Sequence, residues 1–255
     1  MPFARSAGYA IHYEVEGEGP PLVLQHGFSG TLKRWIWSGY VDALKSRFKV
    51  ILVDARGHGG SDKPHDPDAY TIEAQASDIA AVLDGLGIER AHYWGFSMGG
   101  RIAFAMAKYQ CSRVRTLVIG GGHPYSRKLP DEDRLDGSDP ELFVKRLYRR
   151  TGIDLDKLPS EMRDELFAND FHALAAVQGD WPSLEDVLPT MKMPCLLYVG
   201  DADPYFAKVT QCAEKIPGAQ IFVLPGLDHG TGFRESALVL PRVILFLEEH
   251  PKGGD

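Results

Sequence analysis

The sequence predicts an α/β protein: a mostly parallel, doubly wound sheet with a helical cap inserted late in the chain. Three observations point there. Short apolar runs of strand length alternate with longer stretches of helical period, as in a parallel sheet covered on both faces. One serine, Ser97, stands between glycines at the junction of such a run and an apolar helix. The alternation then breaks off from residue 123 to residue 188 and resumes afterwards. With 255 residues and a 44% hydrophobic share, the chain has enough apolar material for one large core.

Taken in order, Tyr9 to Glu16 alternates apolar and polar like a half-exposed strand, and Gly17-Glu18-Gly19-Pro20-Pro21 turns it into an expected antiparallel hairpin at the start of the chain. Pro21 to Gln25 reads as an interior strand ending in His26-Gly27-Phe28-Ser29-Gly30. Lys49 to Val53 is the next buried strand, followed by a turn-rich loop from Asp54 to Pro64. Thr71 to Leu86 has helical spacing, with Ile72, Ala76, Ile79, Ala80, Leu83 and Leu86 on one side. Ala91 to Trp94 and Val114 to Ile119 are strands flanking the serine turn and its helix. Charged, proline-punctuated helical pieces follow, at Pro140 to Thr151 and Ser160 to Gln178. Strands at Pro194 to Val199 and Ala219 to Leu224, with helices near Phe206 to Ile216 and Glu235 to Glu249, close the chain. The expected organisation is a core of 1–122 and 189–250, a cap of 123–188 and a tail of 251–255.

A net charge of -7 provides no electrostatic footprint for nucleic acid or an anionic membrane surface. No stretch approaches the roughly 20 apolar residues of a membrane span, and no apolar signal core follows Met1. Three scattered cysteines, Cys111, Cys195 and Cys212, fit neither a metal site nor a disulfide framework, and a reducing cytoplasm is expected. His26 and His58 lack the spacing and the third ligand of a metal centre. No metal and no cofactor are expected, and the sequence assigns no oligomeric state.

Gly95-Phe96-Ser97-Met98-Gly99 turns the backbone so sharply that the serine is lifted clear at the tip. A hydroxyl is a poor nucleophile without a base, and the base should follow a strand, since reactive groups gather beyond the carboxyl ends of a parallel sheet. Of the nine histidines, His229 lies directly after the last strand in Gly226-Leu227-Asp228-His229-Gly230 and is the candidate. Its orienting carboxylate is sought in Gly200-Asp201-Ala202-Asp203-Pro204, where Asp203 is preferred and Asp201 is the alternative. Asp228, adjacent to the histidine, is badly placed to face its ring. The order serine, aspartate, histidine differs from that of the other two common serine-triad folds.

These stretches, with His26-Gly27-Phe28 and Asp54-Ala55-Arg56-Gly57-His58-Gly59-Gly60-Ser61, resemble the α/β-hydrolase superfamily, in its small type with a helical cap. The resemblance covers everything except the insertion. It favours Asp203, three residues after the glycine of its turn, and it implies an oxyanion hole made by the backbone N–H groups of Met98 and Phe28, each such donor being worth on the order of 10²–10³ in rate. Asp54 and Arg56 are expected to anchor neighbouring loops.

The implied activity is hydrolysis of a small carboxylic ester or lactone through an acyl-serine, with that small molecule as the expected partner. A serine at the elbow argues against the epoxide hydrolase and haloalkane dehalogenase chemistry of carboxylate nucleophiles. Carbon–carbon bond hydrolysis of ring-cleavage diketones, enol-lactone hydrolysis and perhydrolysis would use the same three residues, and a slow-turnover ligand sensor would retain them for recognition. Trp181, Phe171, Tyr125 and Phe143, with Tyr205 and Phe206, are candidate pocket walls, as are Trp35 and Trp37 near the oxyanion loop.

Overall fold

In the computed structural model, residues 2–251 are described; positions 252–255 of the expected tail lie outside the described residues. Eight strands form one sheet: β1 (Phe3–Ser6), β2 (Tyr9–Glu16), β3 (Pro21–Gln25), β4 (Lys49–Val53), β5 (Ala91–Phe96), β6 (Val114–Gly120), β7 (Cys195–Gly200) and β8 (Gln220–Leu224). Their spatial order is β1-β2-β4-β3-β5-β6-β7-β8. β1 and β2 run antiparallel, as do β2 and β4, and every later pairing is parallel. The first hairpin therefore differs from expectation. β2 turns back on β1, through Ala7 and Gly8 at positive φ, and not onto β3. β4 occupies the place beside β2, with Val15 opposite Ile51, because the β2 face needs a buried neighbour and β3 is enclosed by β4 and β5.

Helices cover both faces. On one side α3 (Ile72–Gly85), α4 (Met98–Tyr109) and α8 (Phe206–Glu214) pack onto Val23, Ile51, Tyr93, Leu117 and Leu197. On the other α1 (Lys33–Trp37), α2 (Tyr40–Leu44), α9 (His229–Arg234) and α10 (Ser236–Glu249) pack onto Leu22, Leu24, Leu52, Trp94 and Tyr198. Successive strand residues thus enter different cores, as the two-residue period of a strand requires. That is why the interior strands read as continuous apolar runs.

Between β6 and β7 lie α5 (Pro140–Thr151), α6 (Ser160–Phe167) and α7 (Phe171–Val177). They build a separate apolar cluster from Phe143, Leu147, Leu166, Phe171 and Leu174, against which Phe28 of the core also packs. The expected single helix from Ser160 to Gln178 is two. The Asp170 side chain accepts a hydrogen bond from Ala173 N–H and starts α7 afresh, so the break at 168–170 has a capping cause. The insertion is closed at its base by an antiparallel bridge between Arg127 and Trp181.

Candidate active site

β3 is the point at which the chain turns to opposite sides of the sheet, to β4 and then to β5. The loops that leave β3 and β5 are consequently neighbours at the carboxyl edge, where a crevice forms. Ser97 leaves β5 with φ 54° and ψ -108°, a backbone conformation that side chains rarely adopt. The turn is possible because a Cβ at Gly95 would collide with the Gly99 carbonyl, and one at Gly99 with the Gln25 carbonyl. Ser97 N–H donates to Gly120 O at 2.8 Å, which ties the turn to the neighbouring strand.

The three sequence-predicted side chains meet here. Ser97 Oγ lies 2.8 Å from His229 Nε2, and His229 Nδ1 lies 2.6 Å from Asp203 Oδ2. Because a carboxylate only accepts, the imidazole proton sits on Nδ1 and the Nε2 lone pair faces the hydroxyl. His229 and Asp203 are buried, while Ser97 is half-buried at the cavity floor. His229 opens the short helix α9 and does not ride on a flexible loop as its glycine-rich surroundings suggest; Asp228 caps that helix by accepting from Thr231 N–H at 2.7 Å. Asp201 faces away and accepts from Gly226 N–H at 2.7 Å. Tyr205 and Phe96 hold the imidazole between their rings, with centroids 5.3 and 5.0 Å away.

Met98 begins α4, so its N–H has no partner within the helix. The Phe28 N–H belongs to the Gly27–Phe28 peptide, whose carbonyl accepts from His26 Nδ1 at 2.8 Å and from Gly30 N–H at 3.2 Å. In a trans peptide the N–H points opposite to the C=O, so both bonds aim the Phe28 N–H away from His26. The ring is neutral with a fixed tautomer: Nδ1–H donates to Gly27 and Nε2 accepts from Ala55 N–H at 3.0 Å. Burial holds the His26 pKa below its ordinary value, against the opposing pull of Asp54. His58 does the same for the next residue, Nε2 accepting from Ser29 N–H at 3.1 Å, and burial with the adjacent His26 lowers its pKa to about 3. Neither histidine touches a metal-like cluster, and among the described residues no such cluster exists.

Asp54 and Arg56 anchor loops, though not through each other. Asp54 accepts from Leu32 N–H and Gly60 N–H, both at 2.8 Å, and contacts His12 Nδ1 at 2.8 Å. Arg56 forms a buried two-pronged pair with Asp78, at 3.1 and 2.5 Å.

A cavity of about 480 Å³ opens above Ser97. Of the candidate walls Trp181 and Tyr205 line it, together with Phe28 and Met98, whereas Phe171 and Tyr125 do not. Phe171 packs edge-on against Phe143 inside the helical insertion, and Tyr125 packs on the sheet core. Trp35 is wholly buried beneath the sheet among Tyr40, Trp94 and Phe233, and Trp37 is exposed; neither reaches the cavity.

Sequence reasoning missed the cations of this cavity. Arg101, Arg127 and Arg150 all line it. Arg101 is buried and stacks 4.8 Å over Trp181; Arg127 stacks 3.7 Å over the same ring. Among the described residues neither has a carboxylate within 4 Å, although backbone carbonyls of Tyr125, Pro182, Gln178 and Gly179 accept from them. Burial, then repulsion from Arg127 on Arg101 and from Arg150 on Arg127, lowers both pKa values to about 10, and burial lowers that of Arg150 too. The acidic lining residues Asp68, Glu73 and Asp180 are exposed. One signal was available: Arg101 is the single charge in an apolar helix segment, one turn beyond Ser97, where side chains share a face.

Residues 20–157 match the family model of the alpha/beta hydrolase fold. The chain belongs to that family. An enol-lactonase from Burkholderia xenovorans LB400 superposes with a TM-score of 0.84 at 27% identity, over 97% of this chain and all of that one. A protein of Caulobacter sp. (strain K31), provisionally named carbamate hydrolase RutD, is 36% identical over 86% of this chain and 89% of its own. A Bacillus subtilis protein, provisionally named 2-succinyl-6-hydroxy-2,4-cyclohexadiene-1-carboxylate synthase, is 27% identical over 86% of this chain and 88% of its own. The chain is a hydrolase-family enzyme. No helix of the described residues is long and apolar enough to cross a membrane.

Proposed function

We propose that this enzyme cleaves a small carboxylic ester or lactone through an acyl-serine, and that the substrate bears a further carboxylate. One observation carries the reading: a serine–histidine–aspartate relay opens into a cavity lined by the buried Arg101 and the half-buried Arg127, neither of which has a carboxylate within 4 Å among the described residues. Unpaired buried cations are costly, and an anionic ligand removes the cost while fixing its own position.

In this reading His229 takes the Ser97 proton as Oγ attacks the carbonyl carbon, and Asp203 holds the imidazolium that forms. The Phe28 and Met98 N–H groups receive the developing oxyanion, with the positive end of α4 behind Met98. His229 then returns the proton to the leaving oxygen, and water, activated by the same imidazole, releases the acid. No cofactor enters. Residues 123–188 serve as the cap that carries Arg127, Arg150 and Trp181, over a core of 1–122 and 189–250, in a cytoplasmic enzyme. The enol-lactonase likeness supports ester-type chemistry.

The arginines also favour a second reading, in which the same relay breaks a carbon–carbon bond in a carboxylated compound, the B. subtilis relative being named for a carboxylated ring compound. Matched p-nitrophenyl acetate and p-nitrophenyl hemisuccinate, with Ser97→Ala and fluorophosphonate labelling, test both. Turnover that prefers the hemisuccinate, is lost in Ser97→Ala and is blocked by label on Ser97 supports the ester reading. Labelling with negligible turnover of either ester refutes it and leaves the second reading, to be assayed on carboxylated diketones. A preference for the acetate refutes the anionic substrate.

A further inference from the structure

The turn that presents Phe28 is gripped from two directions. From the sheet side come His26, His58 and Asp54, as described. From the other side come residues of α6 and its C-terminal flank, far away in sequence. Glu165 Oε1 accepts from Thr31 N–H at 3.1 Å and also from the Thr31 hydroxyl, while Oε2 accepts from Arg34 Nε at 2.6 Å. Asn169 Nδ2 donates to Ser29 O at 3.1 Å, and Arg34 Nη2 donates to the same carbonyl at 3.3 Å. The Glu165 and Arg34 side chains are only 6% and 17% exposed, so this is no loose surface pair.

The turn needs such support. Ser29 sits at φ 62°, a region costly for a residue with a side chain. A Cβ at Gly30 would crowd Arg34 Cδ at 2.7 Å, so the arginine lies flush on the backbone it braces. With Ser29 O held by Asn169 and Arg34, and Thr31 N–H held by Glu165, the Ser29–Gly30 and Gly30–Thr31 peptides are tied to α6 and its flank, and Gly30 N–H in turn donates to Gly27 O, the carbonyl of the peptide that carries the Phe28 N–H. A donor aimed at an oxyanion loses its effect with small changes of angle, and one such donor is worth on the order of 10²–10³ in rate.

We propose that Glu165 and Asn169 are positioning residues for the Phe28 N–H, so that seating of the helical insertion and completion of the oxyanion site are a single event. The proposal rests on the reading of Phe28 as an oxyanion donor. Glu165 is buried beside Arg34 and acts through the turn, without touching the reacting atoms.

The experiment uses the whole chain with Glu165→Ala, Glu165→Gln, Asn169→Ala and, as a control, Ser97→Ala. It records kcat and KM on the better ester, the inhibition constant of phenylboronic acid, and melting by circular dichroism. Boron accepts the Ser97 Oγ electron pair, the hydroxyl proton passes to His229, and a boronate oxygen takes the oxyanion position, which makes the inhibitor a direct probe of that site. Glu165→Ala is expected to lower kcat roughly 10- to 100-fold, with KM within about threefold and boronate affinity weakened in parallel. Glu165→Gln, which retains an acceptor for Thr31, recovers most of both, and Asn169→Ala falls between. A purely structural role would lower the melting temperature and leave kcat and boronate affinity intact at 25 °C, and that result overturns the proposal, as does a loss confined to KM. Should Glu165→Ala fail to fold, Asn169→Ala and Glu165→Gln decide by the same criteria. If wild type binds no boronate, or Ser97→Ala retains turnover, the parent reading fails; tight boronate binding with indifferent variants overturns the latch alone.

Discussion

Replacing Arg101 with methionine should make the protein more stable and less selective. Arg101 is buried, has no carboxylate partner among the described residues, and has its pKa lowered to about 10 by desolvation and by Arg127. At about 1.4 kcal/mol per pH unit, that fall from the ordinary guanidinium value burdens the folded state by roughly 3 kcal/mol. For a cation with a lowered folded pKa the burden is complete below pH about 10 and disappears only above the range in which the unfolded guanidinium titrates, so it is fully present at pH 7. Methionine keeps much of the volume but strands the Pro182 and Tyr125 carbonyls, which returns about 1–2 kcal/mol of the gain. The net expectation is a gain of about 1–2 kcal/mol, or roughly 2–8 °C in melting temperature for a chain of this size. On the hemisuccinate ester, loss of a charge-assisted contact should lower kcat/KM by a factor of about 10–150, while the acetate changes by less than about threefold. Calorimetry and the paired ester assay test both halves. A lower melting temperature with unchanged selectivity, or an equal loss on both esters, would show that Arg101 is a packing residue and refute the reasoning.

Two further outcomes follow from backbone strain and buried histidines. Ser97 holds φ 54° and ψ -108°, so Ser97→Gly should melt above Ser97→Ala by about 1–3 kcal/mol of stability, reversing the usual penalty for glycine; the opposite ranking in calorimetry would remove the strain argument. Burial lowers the pKa values of His58 and His123 to about 3 and of His92 to about 4. Each stays neutral in the fold while the unfolded chain takes up protons near pH 6.5, so stability is intact above that pH and is lost as pH falls from it toward the folded values. At pH 5 the loss is roughly 2 kcal/mol per histidine. Urea midpoints at pH 7.5 and pH 5 should differ accordingly, and His92→Gln should remove one histidine's share of the difference, roughly 2 kcal/mol; a flat profile would refute the assignment.

The relay was legible because each member belongs to a local signal at a strand end. Gly95 and Gly99 mark the turn, Asp201 and Asp203 follow β7, and His229 follows β8, so knowing where strands stop brought the serine, the histidine and two candidate acids to one edge, and the resemblance favoured Asp203 of the two. What depends on partners remote in sequence was not legible. β2 chooses β4 over its sequence neighbour β3 because of burial, which no short window contains. The three arginines come from α4, the strap at Arg127 and the end of α5, and only folding makes them neighbours. Trp35 looked like a pocket wall because it is near Phe28 in sequence, but its short helix turns it under the sheet. The division of the Ser160 to Gln178 segment was in principle readable, since Asp170 stands three residues before the N–H it caps.

The bridge at the base of the insertion has a consequence for how such a protein can change. Arg127 N–H and Trp181 N–H each donate to the other residue's carbonyl, at 3.1 and 2.8 Å, and Leu184 N–H donates to Pro124 O at 2.9 Å. Whatever lies between is a loop already closed at its neck, and varying the length of a closed loop adds little further entropic cost. The stretch from 128 to 180 is thus a graft site: it could be exchanged for another sequence with β6 and β7 left undisturbed, provided the incoming segment supplies its own hold on the turn at Ser29 and Thr31.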